Sequence, residues 1–212
     1  RPVPPIPYDT TKSSAFYKEA FRVYDAIVKP KVGDSATAWY WDDNPNTSIT
    51  DGHITYFLQK NSPPGHWVHI ACAVAEKENY DAIKTASLIS KTAIALFDAL
   101  ISCWEAKYYY NYVRPETFIN KYIDKDWQPL IQTPPFPEYP SGHSVVSSSA
   151  ATVLTQMVGD SYAFTDSVEV AFGRPTRQFN SFYEAADQAS VSRLYGGIHF
   201  KEALEAGNKQ GK

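Results

Sequence analysis

DAIKTASLISKTAIALFDALISCWEAKYYYNYV, residues Asp81–Val113, is the longest periodic stretch of this chain. Ala82, Ala86, Leu88, Ile89, Ala93, Leu96, Ala99, Leu100 and Cys103 recur at helical spacing. Small or apolar residues cover much of the circumference, which is the pattern of a central, buried helix. Pro115 limits its continuation. Moving outward, the same period returns on both sides. Ser13–Lys29 sets Phe16, Ala20, Val23 and Ile27 on one face and ends before Pro30. Ser35–Trp41 predicts a short helix in which Trp39, Tyr40 and Trp41 crowd together, and Pro64–Glu78 predicts a longer one. Downstream, Ser141–Gly159 carries Val145, Val146, Ala150, Val153, Leu154 and Met157. Thr176–Tyr195 carries Phe179, Phe182, Ala186, Ala189, Val191 and Leu194, and a short helix runs from Lys201 to the end.

Strand signals are scarce. Asp42–Pro64, rich in Asn, Asp, Pro, Gly and Ser, predicts a long loop of the kind that forms lids. Asp124–Pro140, with five prolines, and Asp160–Pro175 predict further connections. The expected fold is all-α, a bundle of six or seven helices. It forms a single domain over residues 1–212, with a proline-rich extension or linker at 1–12 and the bundle at 13–212.

Composition narrows the partners. A 43% hydrophobic chain of 212 residues can bury a sizeable core. A net charge of −3 gives no general affinity for nucleic acid or anionic membrane. No run of about 18 apolar residues is present, so no membrane span is expected. Cys72 and Cys103 fall in apolar helical runs and predict buried free thiols. Arg1-Pro-Val-Pro-Pro-Ile-Pro has the look of a processed or trimmed start, or of a linker from an upstream segment. The aromatic-rich composition also suits a homo-oligomer.

Three separated clusters carry the chemistry: Lys107-Tyr-Tyr-Tyr-Asn-Tyr-Val-Arg114-Pro115, Pro140-Ser141-Gly142-His143, and Ser192-Arg193-Leu-Tyr-Gly-Gly-Ile-His199. Lys107 and Arg114 are seven apart, which puts them on one face of a helix. Buried, they need partners, and an anion is one. Ser141 stands at a helix N-cap, Gly142 lets backbone approach a ligand, and the free N–H groups and helix dipole favour an anion there. Arg193 ends a helix, and His199 follows a Gly196-Gly197 turn that permits positive φ. Each cluster alone has an ordinary reading as solvent-facing cations, a plain cap, or a hydrogen-bonded structural histidine. Together they supply fixed positive charge, hydroxyl and backbone donors, and two imidazoles. Those are the needs of a site for a tetrahedral oxyanion, and they predict an enzyme acting with phosphate or a phosphate-shaped anion.

The order Lys-x6-Arg-Pro, Pro-Ser-Gly-His, Ser-Arg-x5-His resembles the superfamily that joins vanadium-dependent haloperoxidases to type 2 phosphatidic acid phosphatases and bacterial acid phosphatases. Pro64-Gly-His-Trp67 and the Trp104–Lys107 region look more like the haloperoxidase branch. The resemblance implies that Lys107, Arg114 and Arg193, with Ser141 and the Gly142 N–H, bind the oxyanion. His199 would be its covalent ligand, to vanadium in a haloperoxidase or to phosphorus in a phosphatase, and His143 the general acid–base. Phosphatases of this type carry Asp four residues beyond the last His, where it orients the imidazole. Here that position is Ala203, with Glu202 and Glu205 nearby, and Glu202 or a backbone carbonyl is the expected substitute.

Vanadate and phosphate share a shape, so one site serves two chemistries. Bound vanadate with hydrogen peroxide oxidises halide to hypohalous acid; a phosphatase hydrolyses a small phosphoester through a phosphohistidine. Trp104, three residues before Lys107, and Phe136, seven before His143, look like the halide-pocket residues of bacterial haloperoxidases. They tilt the expectation toward a vanadate-dependent peroxidase. Acid phosphatase and a non-catalytic oxyanion-binding scaffold are the alternatives. The resemblance also implies periplasmic or secreted residence.

Overall fold

A computed structural model describes residues 1–45, 47–58 and 61–212, and of 47–51 and 55–58 the backbone. The chain opens on α1 (Ala15–Val28), whose N-cap Ser14 accepts from Tyr17 N, and α2 (Asp34–Tyr40), entered through Gly33 at φ 93°. Strands β1 (Thr47–Asp51) and β2 (Ile54–Leu58) pair as an antiparallel hairpin. α3 (Pro63–Lys77) begins with proline behind the Ser62 cap. α4 (Ala82–Tyr110), capped by Asp81, is the predicted long helix, but it is buried on one face only: Ile83, Ile94, Phe97 and Ile101 are exposed. α5 (Pro115–Tyr122) and α6 (Gly142–Val158) follow. β3 (Phe164–Asp166) pairs antiparallel with β4 (Arg177–Phe179) across a 3₁₀ turn, Val168–Phe172. α7 (Phe182–Tyr195) and α8 (Lys201–Gln210) close the chain.

The all-α expectation holds, with eight α-helices among the described residues. Four local expectations change. Asp42–Pro64 is not loop throughout: it contains the β1–β2 hairpin and the start of α3, while its residues 46, 59 and 60 lie outside the described residues. The last long helix starts at Phe182, because Ser181 Oγ accepts from Glu184 N while Glu184 accepts from Asn180 N, leaving Arg177–Phe179 free to pair as a strand. α4 stops where Asn111 turns left-handed at φ 45°, and Pro115 then opens α5 rather than merely ending α4. Lys107 and Arg114 therefore do not share one helix face. Finally, both cysteines are free, but Cys72 is exposed on α3 and only Cys103 is buried. The stretch Ala82–Tyr122, α4 with α5, is also long and apolar enough by composition to cross a membrane, and 28% of its apolar window is buried. Here α4 packs on α3 and α6.

Two main apolar centres hold the bundle, with a small third one of Ala99, Cys103 and Val145 between α4 and α6. The larger joins α3, α4, α6 and α7 through Trp67, Ile70, Leu88, Leu96, Leu154 and Phe182, with Trp41 beneath them. The smaller joins α1 and α5 to the start of α8 through Phe16, Phe118 and Phe200, with Phe16 and Phe118 edge to face at 4.8 Å. α8 lies hard against the first turn of α6: a Cβ on Gly207 would stand 2.8 Å from Ser141 O, and Ser141 N donates to Ala203 O at 3.0 Å. That contact brings the second and third sequence clusters together.

Candidate active site

His199 sits at the end of a turn in which Gly197 has φ 81° and Ile198 N donates to Arg193 O at 3.2 Å. The ring is buried. Its Nδ1 lies 2.8 Å from Glu138 Oε1 and its Nε2 3.1 Å from Arg114 Nη1. A guanidinium only donates, so Nε2 carries the lone pair and Nδ1 carries the proton that Glu138 accepts. Burial, followed by the charges of Arg114 and Lys107, holds the imidazole well below its ordinary pKa, and therefore neutral. Glu138 also accepts the Phe200 N–H at 2.9 Å. Burial pushes this carboxyl up to about 8 against the pull of Arg114 and Lys107.

The three cations are tied to backbone carbonyls. Lys107 Nζ donates to Pro137 O at 2.9 Å, Glu138 O at 2.9 Å and Pro140 O at 2.6 Å, so its three N–H groups meet three acceptors of one loop. Arg114 Nε donates to Phe136 O at 2.9 Å, and Nη1 also reaches Ile198 O at 2.9 Å. Arg193 Nε donates to Ser192 Oγ at 2.9 Å, and Nη2 donates to the carbonyls of Ala38, at 3.3 Å, and Trp41. Burial lowers Lys107 to about 8 and each arginine to about 10, so all three remain charged at neutral pH. Lys107 and Arg114 also stand over the Phe136 ring, 5.3 and 5.1 Å from its centroid.

A cavity of about 570 Å³ opens in front of these groups, lined by His199, His143, Arg193 and Gly142 at its polar end and by Trp104, Phe136, Leu100, Val146 and prolines of two loops elsewhere. Trp104 and Phe136 contact each other with centroids 5.1 Å apart. His143, on the first turn of α6, donates to the Trp41 carbonyl. Its Nε2 is buried with no hydrogen-bond partner, so the donor is Nδ1 and a second imidazole lone pair is open. Burial and the charge of Arg193 keep this ring neutral as well. A Cβ at Gly142 would lie 3.6 Å from the Trp104 ring and 3.9 Å from Lys107 Cε, so the missing side chain leaves a hollow in the wall. An orphaned imidazole nitrogen, a second imidazole lone pair, two arginines and a glycine hollow at a helix N-terminus fit a tetrahedral oxyanion.

The family model described as the VCPO second helical-bundle domain matches residues 87–126 and 120–212. A solved structure titled as the first bacterial vanadium-dependent iodoperoxidase is 47% identical, with a TM-score of 0.92, and is matched over 100% of this chain. The chain belongs to the vanadium-dependent haloperoxidases. It spans 50% of the length of that iodoperoxidase. Holo- and apo-type bacterial vanadium-dependent chloroperoxidases align at 18% and 15% identity with TM-scores of 0.74 and 0.71, a likeness of fold; they are matched over 98% and 99% of this chain and over 48% and 52% of theirs. A comparison with curated proteins gives no match.

In this haloperoxidase-family chain all the residues singled out in the sequence converge on one region. Trp104, Phe136, Gly142, His143, Arg193 and His199 line the cavity. Lys107, Arg114 and Ser141 stand behind it: the cations grip the wall, and Ser141 caps α6 by accepting from Ser144 N. Glu202, the expected substitute for the absent aspartate, instead accepts from Ile6 N and Tyr112. Position 203 carries alanine because α8 is pressed against Ser141 there. The carboxylate comes from Glu138, which sequence reading missed; its one signal was a glutamate set between prolines in the loop that enters Pro-Ser-Gly-His.

Sequence reading quoted His66 within Pro64-Gly-His-Trp67 but gave it no role. On α3 it is fully buried, with Nδ1 3.0 Å from Asp43 Oδ1 and Nε2 2.8 Å from Asp166 Oδ2. Asp43, His66 and Glu169 bring ligand-type atoms within 4.8 Å of one another. Both ring nitrogens already face carboxylates, so the group is an ion cluster in its own right.

Proposed function

We propose that this chain carries the active site of a vanadate-dependent peroxidase that oxidises halide with hydrogen peroxide. The observation that carries the reading is His199, held neutral with its Nδ1–H fixed on Glu138 and its Nε2 lone pair beside Arg114, at the polar end of the cavity. In this reading Nε2 is the ligand to vanadium, and Arg114, Arg193 and the Gly142 N–H hold the oxygens. The Arg114 N–H now on His199 Nε2 is the donor that an anion oxygen would take over. Lys107 acts through its charge and by fixing the 137–140 loop, and Ser141 by fixing the helix end. His143 Nε2 is the acceptor for a proton released by hydrogen peroxide. Vanadate, when bound, supplies Lewis acidity and the oxygen ligands that activate peroxide. Phosphate, of the same shape, would compete for the site. Trp104 and Phe136 form the wall facing the halide, and iodide is the first halide to try, given the iodoperoxidase relative.

The test compares iodide and bromide oxidation by the vanadate-loaded chain with p-nitrophenyl phosphate hydrolysis by the vanadate-free chain. Halide oxidation that phosphate inhibits competitively supports the proposal. Ester hydrolysis alone would make this a phosphatase, and activity in neither assay an oxyanion-binding domain.

A further inference from the structure

Outside the cavity, the structure ties one buried histidine to two of the groups that line it. Trp41 and Asp43 belong to the bend after α2. The Trp41 carbonyl accepts from both Arg193 Nη2 and the His143 ring. One peptide oxygen therefore orients a cation and an imidazole of the proposed anion site. Trp41 is tied to α7 a second time, its Nε1 donating to Gln188 Oε1 at 3.1 Å, and the rest of its hold comes from the bend.

The bend is held by His66. Its ring stacks on the Trp41 indole at 4.5 Å and 20° between planes. Its Nδ1 meets both oxygens of Asp43, at 3.0 and 3.2 Å, and its Nε2 is anchored on Asp166 of β3 at 2.8 Å. With a carboxylate at each nitrogen, both nitrogens donate and the ring is an imidazolium. Burial opposes that charge, and Asp43 and Asp166 outweigh it, taking the group to about 10. Asp43 itself has φ 35°, a left-handed conformation that a residue with a side chain adopts at a cost and keeps only where its surroundings fix it. Tyr40, Glu169 and Arg177 complete the charged and titratable surroundings: Tyr40 donates to Asp166 O, Glu169 Oε1 lies 3.9 Å from His66 Nδ1, and Arg177 stands 4.3 Å over the Tyr40 ring.

We infer that His66 is a positioning residue for the oxyanion site: by gripping Trp41 through its ring and Asp43 through its carboxylate, it sets the Trp41 carbonyl that aims Arg193 and His143 into the cavity. His66 itself does not line the cavity, so it acts on the anion site through the groups it holds: the Trp41 peptide and Asp43, which is part of the lining. The inference rests on the anion-site reading proposed above.

The experiment is a double-mutant cycle on the full chain, read as the dissociation constant for inorganic phosphate by calorimetry, with circular dichroism confirming the fold of each variant. His66→Gln keeps the size but removes the imidazolium. It is expected to weaken phosphate binding about tenfold or more where Arg193 is present, and less than about twofold in an Arg193→Lys background, because coupled residues are not additive. An unchanged constant in His66→Gln overturns the inference. So does an equal loss in both backgrounds, which marks general loosening rather than action through Arg193. If His66→Gln does not fold, Asp166→Asn, which leaves the ring in place and removes its outer anchor, enters the same cycle with the same expected pattern. A parent chain that binds neither phosphate nor vanadate overturns the anion-site reading itself, and the inference falls with it.

Discussion

Glu138→Gln tests the orientation of His199 most directly. Glu138 accepts two buried N–H groups, from His199 Nδ1 at 2.8 Å and Phe200 at 2.9 Å, through one oxygen. Alanine would leave both donors unsatisfied at about 1–3 kcal/mol each. That sum is large beside a typical total stability of about 5–15 kcal/mol, so alanine confuses folding with function. Glutamine keeps the accepting oxygen and places its amide where Glu138 Oε2 has no hydrogen-bond partner. Above pH 8, where this carboxyl is ionised, what it removes is the charge that makes these hydrogen bonds roughly twice as strong as neutral ones, about 1 kcal/mol or more on the imidazole. Outer-sphere partners of ligating histidines typically change affinity or activity by about 10–100-fold. The expected result is a vanadate dissociation constant weakened by about tenfold or more, with a melting temperature within a few degrees of the parent. Calorimetric titration with vanadate, checked by competition with phosphate, measures the first, and thermal denaturation the second. A Glu138→Gln chain that binds vanadate as tightly as the parent refutes the reasoning, because the carboxylate would then be a structural acceptor alone.

Gly142→Ala should fold normally, since its Cβ meets Trp104 at 3.6 Å and Lys107 Cε at 3.9 Å, ordinary contact distances. The same methyl fills the hollow, so phosphate affinity should fall; unchanged affinity in a calorimetric titration would remove Gly142 from the site. Lys107→Met leaves the carbonyls of Pro137, Glu138 and Pro140 without their donor, and urea denaturation should show a loss of about 1–3 kcal/mol. A lysine serving the anion alone would cost affinity and no stability. His66, raised from 6.5 to about 10, contributes stability that is complete below pH 6.5 and is lost as pH rises through 10, on the order of 5 kcal/mol in total. Urea unfolding at pH 6, 8 and 10 should show a decline that His66→Gln makes smaller, most clearly between pH 8 and 10.

How much of this was legible in the sequence follows from whether a signal is local. α1, α3, α4 and α6 were legible because each buries a stripe that recurs at helical spacing, and because Asp81 and Ser141 mark the starts of the last two. α5 was hidden because Pro115 reads as a stop, while the fold uses it as a start. The β3–β4 pair was hidden because Phe179 fits the helical period of α7 that begins three residues later. In the site, Lys107, Arg114, Ser141, Gly142, His143, Arg193 and His199 were legible as clusters with fixed internal spacing. Glu138 and His66 were not, because their partners are far along the chain: Glu138 meets His199 across 61 residues, and His66 meets Asp43 across 23 and Asp166 across 100. The missing aspartate at 203 pointed to the right question, and only the packing of α8 against Ser141 shows why the answer lies in another loop.

Glu138 holds the His199 ring with the same oxygen that accepts from Phe200 N, and Phe200 is the residue from which α8 starts. α8 in turn is seated on Ser141 through Ala203 and Gly207. The C-terminal helix is therefore a latch on the site, and it cannot lift away without releasing the imidazole. Local opening of α8 must then compete with any anion bound at His199. A ligand at about 100 times its dissociation constant adds about 2.7 kcal/mol to that opening. The amides of α8 would register it as roughly hundredfold slower hydrogen exchange, so the far end of the chain becomes a reporter of occupancy at its centre.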